Sequence, residues 1–92
     1  MSEVEKVMES GRVFVRNLSY LASEEEVRGY FETFGKISDF RYPRDVDTGR
    51  PKGIALITYL LPSDAARALS DADGRAFQGR LLHVLPGRSE EE

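Results

Sequence analysis

The chain has 92 residues, of which 40% are hydrophobic, 32% are charged and none is cysteine. Those numbers fit one small domain around one modest core, and they exclude disulfides and thiolate metal sites. The formal net charge of −3 comes from the ends, because residues 12–88 carry twelve Lys/Arg against ten Asp/Glu, a net of +2. A reducing, intracellular setting is permitted. No apolar run approaches the ~20 residues that a membrane span needs. The start, Met1-Ser2-Glu3-Val4-Glu5-Lys6, lacks the basic opening and apolar middle of a secretion signal.

Residues 1–11 are polar; Val4, Val7 and Met8 allow a short helical turn, but a flexible tail is the expectation. Arg12-Val13-Phe14-Val15-Arg16-Asn17-Leu18 alternates as a strand does, with Val13 and Val15 on one face and Phe14 and Arg16 on the other. Ser23-Glu24-Glu25-Glu26 has the form of a capping box at a helix start. Val27, Tyr30, Phe31 and Phe34 follow at the spacing of a buried helical stripe, and Gly35 is expected to end that helix.

Ile37 to Tyr42 reads as a second strand with Ile37, Phe40 and Tyr42 inward. The spacing of three between Ile37 and Phe40 breaks the period of two and predicts a bulge. A polar loop, Arg44 to Pro51, leads into Lys52-Gly53-Ile54-Ala55-Leu56-Ile57-Thr58-Tyr59. In this third strand Ala55, Ile57 and Tyr59 share one face, and Ile54, Leu56 and Thr58 the other. Pro62-Ser63-Asp64 opens a second helix, with Ser63 the expected cap and Ala65, Ala68, Leu69 and Ala72 its buried stripe. Leu81 to Leu85 reads as the last strand, with Leu82 and Val84 inward and Leu81, His83 and Leu85 outward.

The order is β-α-β-β-α-β. It predicts a ferredoxin-like α+β fold, a four-stranded antiparallel sheet with both helices on one face. The domain is expected over 12–87, with an acidic tail over 88–92. The other sheet face then carries Phe14, Arg16, Arg41, Ile54, Leu56, Thr58, His83 and Leu85, an apolar patch with basic and aromatic members. Soluble monomers seldom leave such a patch bare. Single-stranded nucleic acid fits it, because bases stack on aromatic rings and phosphates meet Arg and Lys.

These residues carry a resemblance. Val13-Phe14-Val15-Arg16-Asn17-Leu18 is similar to the hexamer of the RNA-recognition motif family. Lys52 to Tyr59 resembles the family's octamer, Lys/Arg-Gly-aromatic-Gly/Ala-aromatic-Val-x-aromatic. The likeness spans roughly residues 12–86. It implies single-stranded RNA as the partner, no cofactor, no metal and a monomer. The RNA-contacting residues it implies are Phe14, Arg16, Asn17, Arg41, Lys52, Ile54, Leu56, Thr58, His83 and Leu85. One departure matters: the octamer's two outward aromatic positions hold Ile54 and Leu56, so Phe14 is the remaining stacking platform.

The run Gly74 to Gly87, with Phe77-Gln78-Gly79-Arg80-Leu81-Leu82-His83-Val84-Leu85-Pro86, also looks like the second motif of a multi-motif group within the family that works in ribosome biogenesis. That likeness implies precursor ribosomal RNA as the target, small-subunit assembly as the process, the nucleolus as the place, and further motifs of a longer chain as partners.

A competing reading is a protein-binding relative of the same fold, the U2AF-homology type. It rests on Arg75-Ala76-Phe77, the acidic start of the first helix and the two missing aromatics. An enzyme is disfavoured, because no nucleophile–base pair, phosphate loop or paired carboxylates stand out.

Overall fold

The computed structural model describes residues 2–87, so the acidic C-terminal tail lies outside the described residues. Among the described residues there are three helices: α1 (Glu3–Ser10), α2 (Glu24–Glu32) and α3 (Pro62–Ala72). The strands are β1 (Arg12–Arg16), β2 (Ile37–Arg41), β3 (Ala55–Tyr59), β4 (Ala76–Phe77), β5 (Arg80–Leu81) and β6 (His83–Pro86). The main sheet runs β2-β3-β1-β6, antiparallel throughout, and β4 and β5 pair as a separate hairpin.

Alternation along the strands decides which face the helices cover. Val13, Val15, Ala55, Ile57, Tyr59 and Val84 are buried, and they meet Val27 and Phe31 of α2 and Ala65, Ala68, Leu69 and Ala72 of α3 in one core. The small side chains of α3 let it lie close to the sheet. The predicted bulge is present: the β2–β3 register shifts between Ile37 and Asp39. It allows both Ile37 and Phe40 to pack on the core despite their odd spacing. Two buried tyrosine hydroxyls reach backbone carbonyls, Tyr59 to Phe31 and Tyr42 to Ala22, each at 2.7 Å.

Four expectations need correction. First, the N-terminal tail is largely helical. Ser2 caps α1 by accepting from the Glu5 N–H, and Glu5 accepts from the Ser2 N–H. Val7 is fully buried, and α1 packs against α3 and β6. Gly11 closes the helix at φ 71°, where a side chain would be strained, and its carbonyl accepts from the Tyr59 N–H at 2.8 Å.

Second, Ser63 does not cap α3. The cap position falls on Leu61 without a side-chain bond, because Pro62 takes the first helical position, which tolerates its missing N–H. Third, α2 ends at a right-handed Thr33 rather than at a left-handed Gly35. Gly35 is needed for space instead, since a Cβ there would collide with the Asp64 side chain. Fourth, Leu81 belongs to the β4–β5 hairpin and not to the last strand. Gln78 and Gly79, at φ 49° and 83°, form the two-residue turn of that hairpin.

Candidate nucleic-acid interface

The face opposite the helices is open, and strand register sets out its residues. In β1 and β3, Phe14 stands opposite Leu56; in β1 and β6, Phe14 stands opposite Leu85. Arg41 in β2 stands opposite Leu56. One line of residues therefore crosses the sheet: Arg41, Leu56, Phe14, Leu85. Phe14 and Leu85 are half-buried, and Leu56 is 37% exposed. A flat strip of this kind can take the face of a nucleobase.

Neighbouring positions flank that line at both ends. Towards the start of β1, Thr58 stands opposite Arg12 and Asp39. A shallow concavity there is lined by Arg12, Asp39, Arg41, Leu56 and Thr58. Arg41 is engaged, its Nε donating to Asp39 Oδ2 at 3.1 Å. Both side chains are exposed, so the pair contributes little to stability, and a phosphate can compete for the guanidinium.

Towards the end of β1 a second, wider groove is lined by Arg16, Asn17, Tyr20, Lys52, Ile54, Arg80 and His83. Arg16 and His83 are register partners across β1 and β6. The loop before β3 is ordered around Asp45, whose carboxylate accepts from the Asp47 N–H at 2.9 Å and the Thr48 N–H at 3.0 Å. Those bonds, that to Thr48 foremost, hold the Asp45 carboxyl below the usual range, and Lys52 adds to the effect. Gly53 takes φ 82°, and a Cβ there would press on the Tyr20 ring and the Leu18 carbonyl. Only glycine lets the octamer approach β1 so closely.

All ten expected contact residues thus lie on this face or at its edge, in two groups. Arg41, Thr58, Leu56, Phe14 and Leu85 sit around the apolar line; Arg16, Asn17, Lys52, Ile54 and His83 line the groove. Two of them have structural work as well. His83 Nδ1 lies 3.5 Å from Asp73 Oδ1, which also accepts from the Val84 N–H. Asn17 adopts φ 64°, donates from Nδ2 to the Leu81 carbonyl at 2.7 Å and accepts from Arg80 on Oδ1.

Arg80 and Tyr20 belong to the groove although sequence reasoning did not assign them to it. Arg80 reaches it because the β4–β5 hairpin meets Asn17 just after β1, a contact of high sequence separation, and the Tyr20 ring lies against Gly53. The positive-φ pair Gln78-Gly79 is the signal that would have detached Arg80 and Leu81 from the last strand. Phe77, the aromatic of the Arg75-Ala76-Phe77 triplet, is half-buried and packs on Tyr30 with ring centroids 5.0 Å apart.

Comparison with known proteins agrees with this geometry. The profile of the RNA recognition motif matches residues 13–83. Multiple RNA-binding domain-containing protein 1 of Dictyostelium discoideum is 56% identical over 87 residues, covering 95% of this chain but 10% of its own. The chain therefore spans about a tenth of that relative's length. Among solved structures, the N-terminal RNA-binding domain of a hypothetical protein aligns with a TM-score of 0.82 and 48% identity, over 88% of this chain and 82% of its own. The structure titled as an Sxl-lethal protein/RNA complex aligns with a TM-score of 0.81 and 25% identity, over 87% of this chain and 48% of its own. With its strand order, its hexamer and octamer on the two central strands and a profile match over most of its length, the chain belongs to the RNA recognition motif family.

Proposed function

We propose that this domain binds single-stranded RNA on the open sheet face, with a base on Phe14 and the backbone along the basic groove. The observation that carries this reading is the line Arg41–Leu56–Phe14–Leu85, an accessible apolar strip with one aromatic ring, flanked by cations. Among the described residues, the side chains of Arg16 and Lys52 have no ion-pair partner within 4.0 Å. Unpaired cations beside an apolar strip suit a polyanion whose bases are unpaired. The Sxl-lethal relative, solved with RNA, shares the fold and supports the partner class.

The affinity of the isolated domain is expected to be modest. Base–aromatic stacking is worth about 1–3 kcal/mol per base, and Ile54 and Leu56 occupy positions where the family's octamer carries rings. Further motifs would then supply the rest. The relative named for multiple RNA-binding domains is about ten times the length of this chain, which supports a role as one motif of a longer protein. The finer reading is that this longer protein acts on precursor ribosomal RNA for the small subunit, in the nucleolus. It rests on the likeness of the Phe77–Pro86 run to the ribosome-biogenesis group.

A salt titration tests the binding mode. Binding of a short oligouridylate should weaken as salt rises, with a log–log slope of about −0.7 for each phosphate neutralised. A flat salt response, together with tight binding of a Trp-containing peptide at the Arg75–Phe77 segment, would favour the protein-binding reading instead.

A further inference from the structure

We infer that Arg80 is a preset phosphate-binding arm, held by Asn17 and Tyr20, and that with Lys52 it clamps one phosphodiester of the RNA where the strand leaves the sheet. This rests on the RNA-binding reading above and adds to it the direction of the RNA path.

The arm is built from several independent contacts. The guanidinium carbon of Arg80 lies 5.5 Å from the centroid of the Tyr20 ring. Arg80 Nε and Nη2 donate to Asn17 Oδ1 at 3.1 and 2.6 Å. Asn17 is itself fixed, its Nδ2 donating to the Leu81 carbonyl at 2.7 Å. An amide side chain, rather than a carboxylate, therefore holds the guanidinium. Its orientation is set and its positive charge is not neutralised. No carboxylate pairs with Arg80 among the described residues, in contrast to Arg41, which is paired with Asp39.

Two edges of the guanidinium have different fates. The Nε–Nη2 edge is spent on Asn17, while the Nη1 N–H groups meet no protein acceptor among the described residues. With the second Nη2 N–H they form the end-on fork that remains for a ligand with paired anionic oxygens, and a planar guanidinium matches phosphate well. Arg80 is exposed, Tyr20 is 56% exposed, and both line the groove shared with Lys52 and Arg16. Nothing must be dehydrated deeply or rearranged for a phosphate to enter. Ordering a long cation in advance removes part of the entropy that a free arginine loses on binding. The groove is continuous with β1, where Arg16 lies two residues beyond Phe14 on the same face. A strand stacked on Phe14 and passing this way meets Arg16 first and then the Arg80–Lys52 clamp.

The test uses the whole chain with short single-stranded oligouridylate and oligoadenylate, measured by fluorescence anisotropy over a range of salt. Arg80→Ala should weaken binding of both oligomers roughly tenfold and equally, since a charge-assisted bond to phosphate is lost and no base is read. Its salt slope should become shallower by about 0.7. Arg80→Lys should keep the slope but recover only part of the affinity, because the charge stays and the fork is lost. Asn17→Gly, which retains the backbone conformation, should weaken binding with the slope unchanged.

Amide spectra of each variant report whether the domain still folds. Replacing the phosphodiesters one at a time by uncharged methylphosphonates should identify a single linkage whose loss weakens the wild type but not Arg80→Ala. If Phe14→Ala weakens binding and Arg80→Ala leaves both affinity and slope unchanged, the clamp is wrong and the RNA-binding reading stands. A loss confined to one oligomer would make Arg80 a base reader and overturn the phosphate assignment. No binding of either oligomer by the wild type would overturn the RNA-binding reading and the clamp with it.

Discussion

Phe14 and Leu56 face each other across the two central strands in antiparallel register, both on the side that no helix covers. Their backs are secured by Val13, Val15, Ala55 and Ile57, all buried in the core. The pair is thus held at fixed height on a rigid sheet, and its contacts to a ligand require little reorganisation.

Removing the ring isolates the stacking contribution. Phe14→Ala should lower affinity for short single-stranded RNA by about 1–3 kcal/mol. The side chain is half-buried on the open face, so the fold should survive. Fluorescence anisotropy gives the affinity, and an amide spectrum confirms the fold.

Restoring a ring tests the departure in the octamer. Leu56→Phe adds an aromatic directly beside Phe14, and RNA affinity should rise by up to about 1–3 kcal/mol. An unchanged Kd would mean that β3 offers no base contact.

The N-terminal helix is expected to contribute to stability. Val7 is fully buried, and α1 packs against α3 and β6. Val7→Ala removes buried methyl groups and leaves a cavity, which should cost about 1–3 kcal/mol in urea unfolding. Val4→Ala, at a 46% exposed position of the same helix, should cost much less.

The core also sets an alkaline limit. Burial pushes the Tyr59 hydroxyl well above its ordinary range, helped by the carboxylates of Asp64 and Glu32. The folded state therefore prefers the neutral phenol. Its contribution is fully present below about pH 10, the unfolded value, and is lost as pH rises beyond it. Tyr59→Phe should cost about 0.5–1.5 kcal/mol at neutral pH, through the lost bond to the Phe31 carbonyl. It should also flatten the fall in stability as pH rises above about 10. Tyr42, raised by burial as well, leaves some residual slope in the variant. Urea midpoints across that window provide the check.

The sheet and its two faces were legible because alternation in β1 and β3 is unbroken: each buried residue is followed by one on the open face. The bulge in β2 was legible from the single odd spacing between Ile37 and Phe40. Helix α1 was not, although Ser2 and Glu5 spell a capping box, because Val7 is its one buried residue and no stripe stands out. Such a helix is stabilised by tertiary packing more than by its own sequence. Of the groove residues, Arg16, Asn17, Lys52, Ile54 and His83 were legible from the strands and from the hexamer and octamer. Arg80 and Tyr20 were not, since they meet through a hairpin whose return is decided by two positive-φ residues and by Asn17, more than sixty positions away from Arg80.

The most direct test of RNA binding on the open sheet is an amide and side-chain shift-mapping titration of the whole chain with short single-stranded RNAs. Shifts should centre on Phe14, Leu56 and Leu85 and extend through Arg16 and Lys52 to Tyr20 and Arg80, with the outer surfaces of α2 and α3 unmoved. Shifts absent from the sheet and confined to the helices and the Arg75–Phe77 segment would rule out RNA binding on the open face.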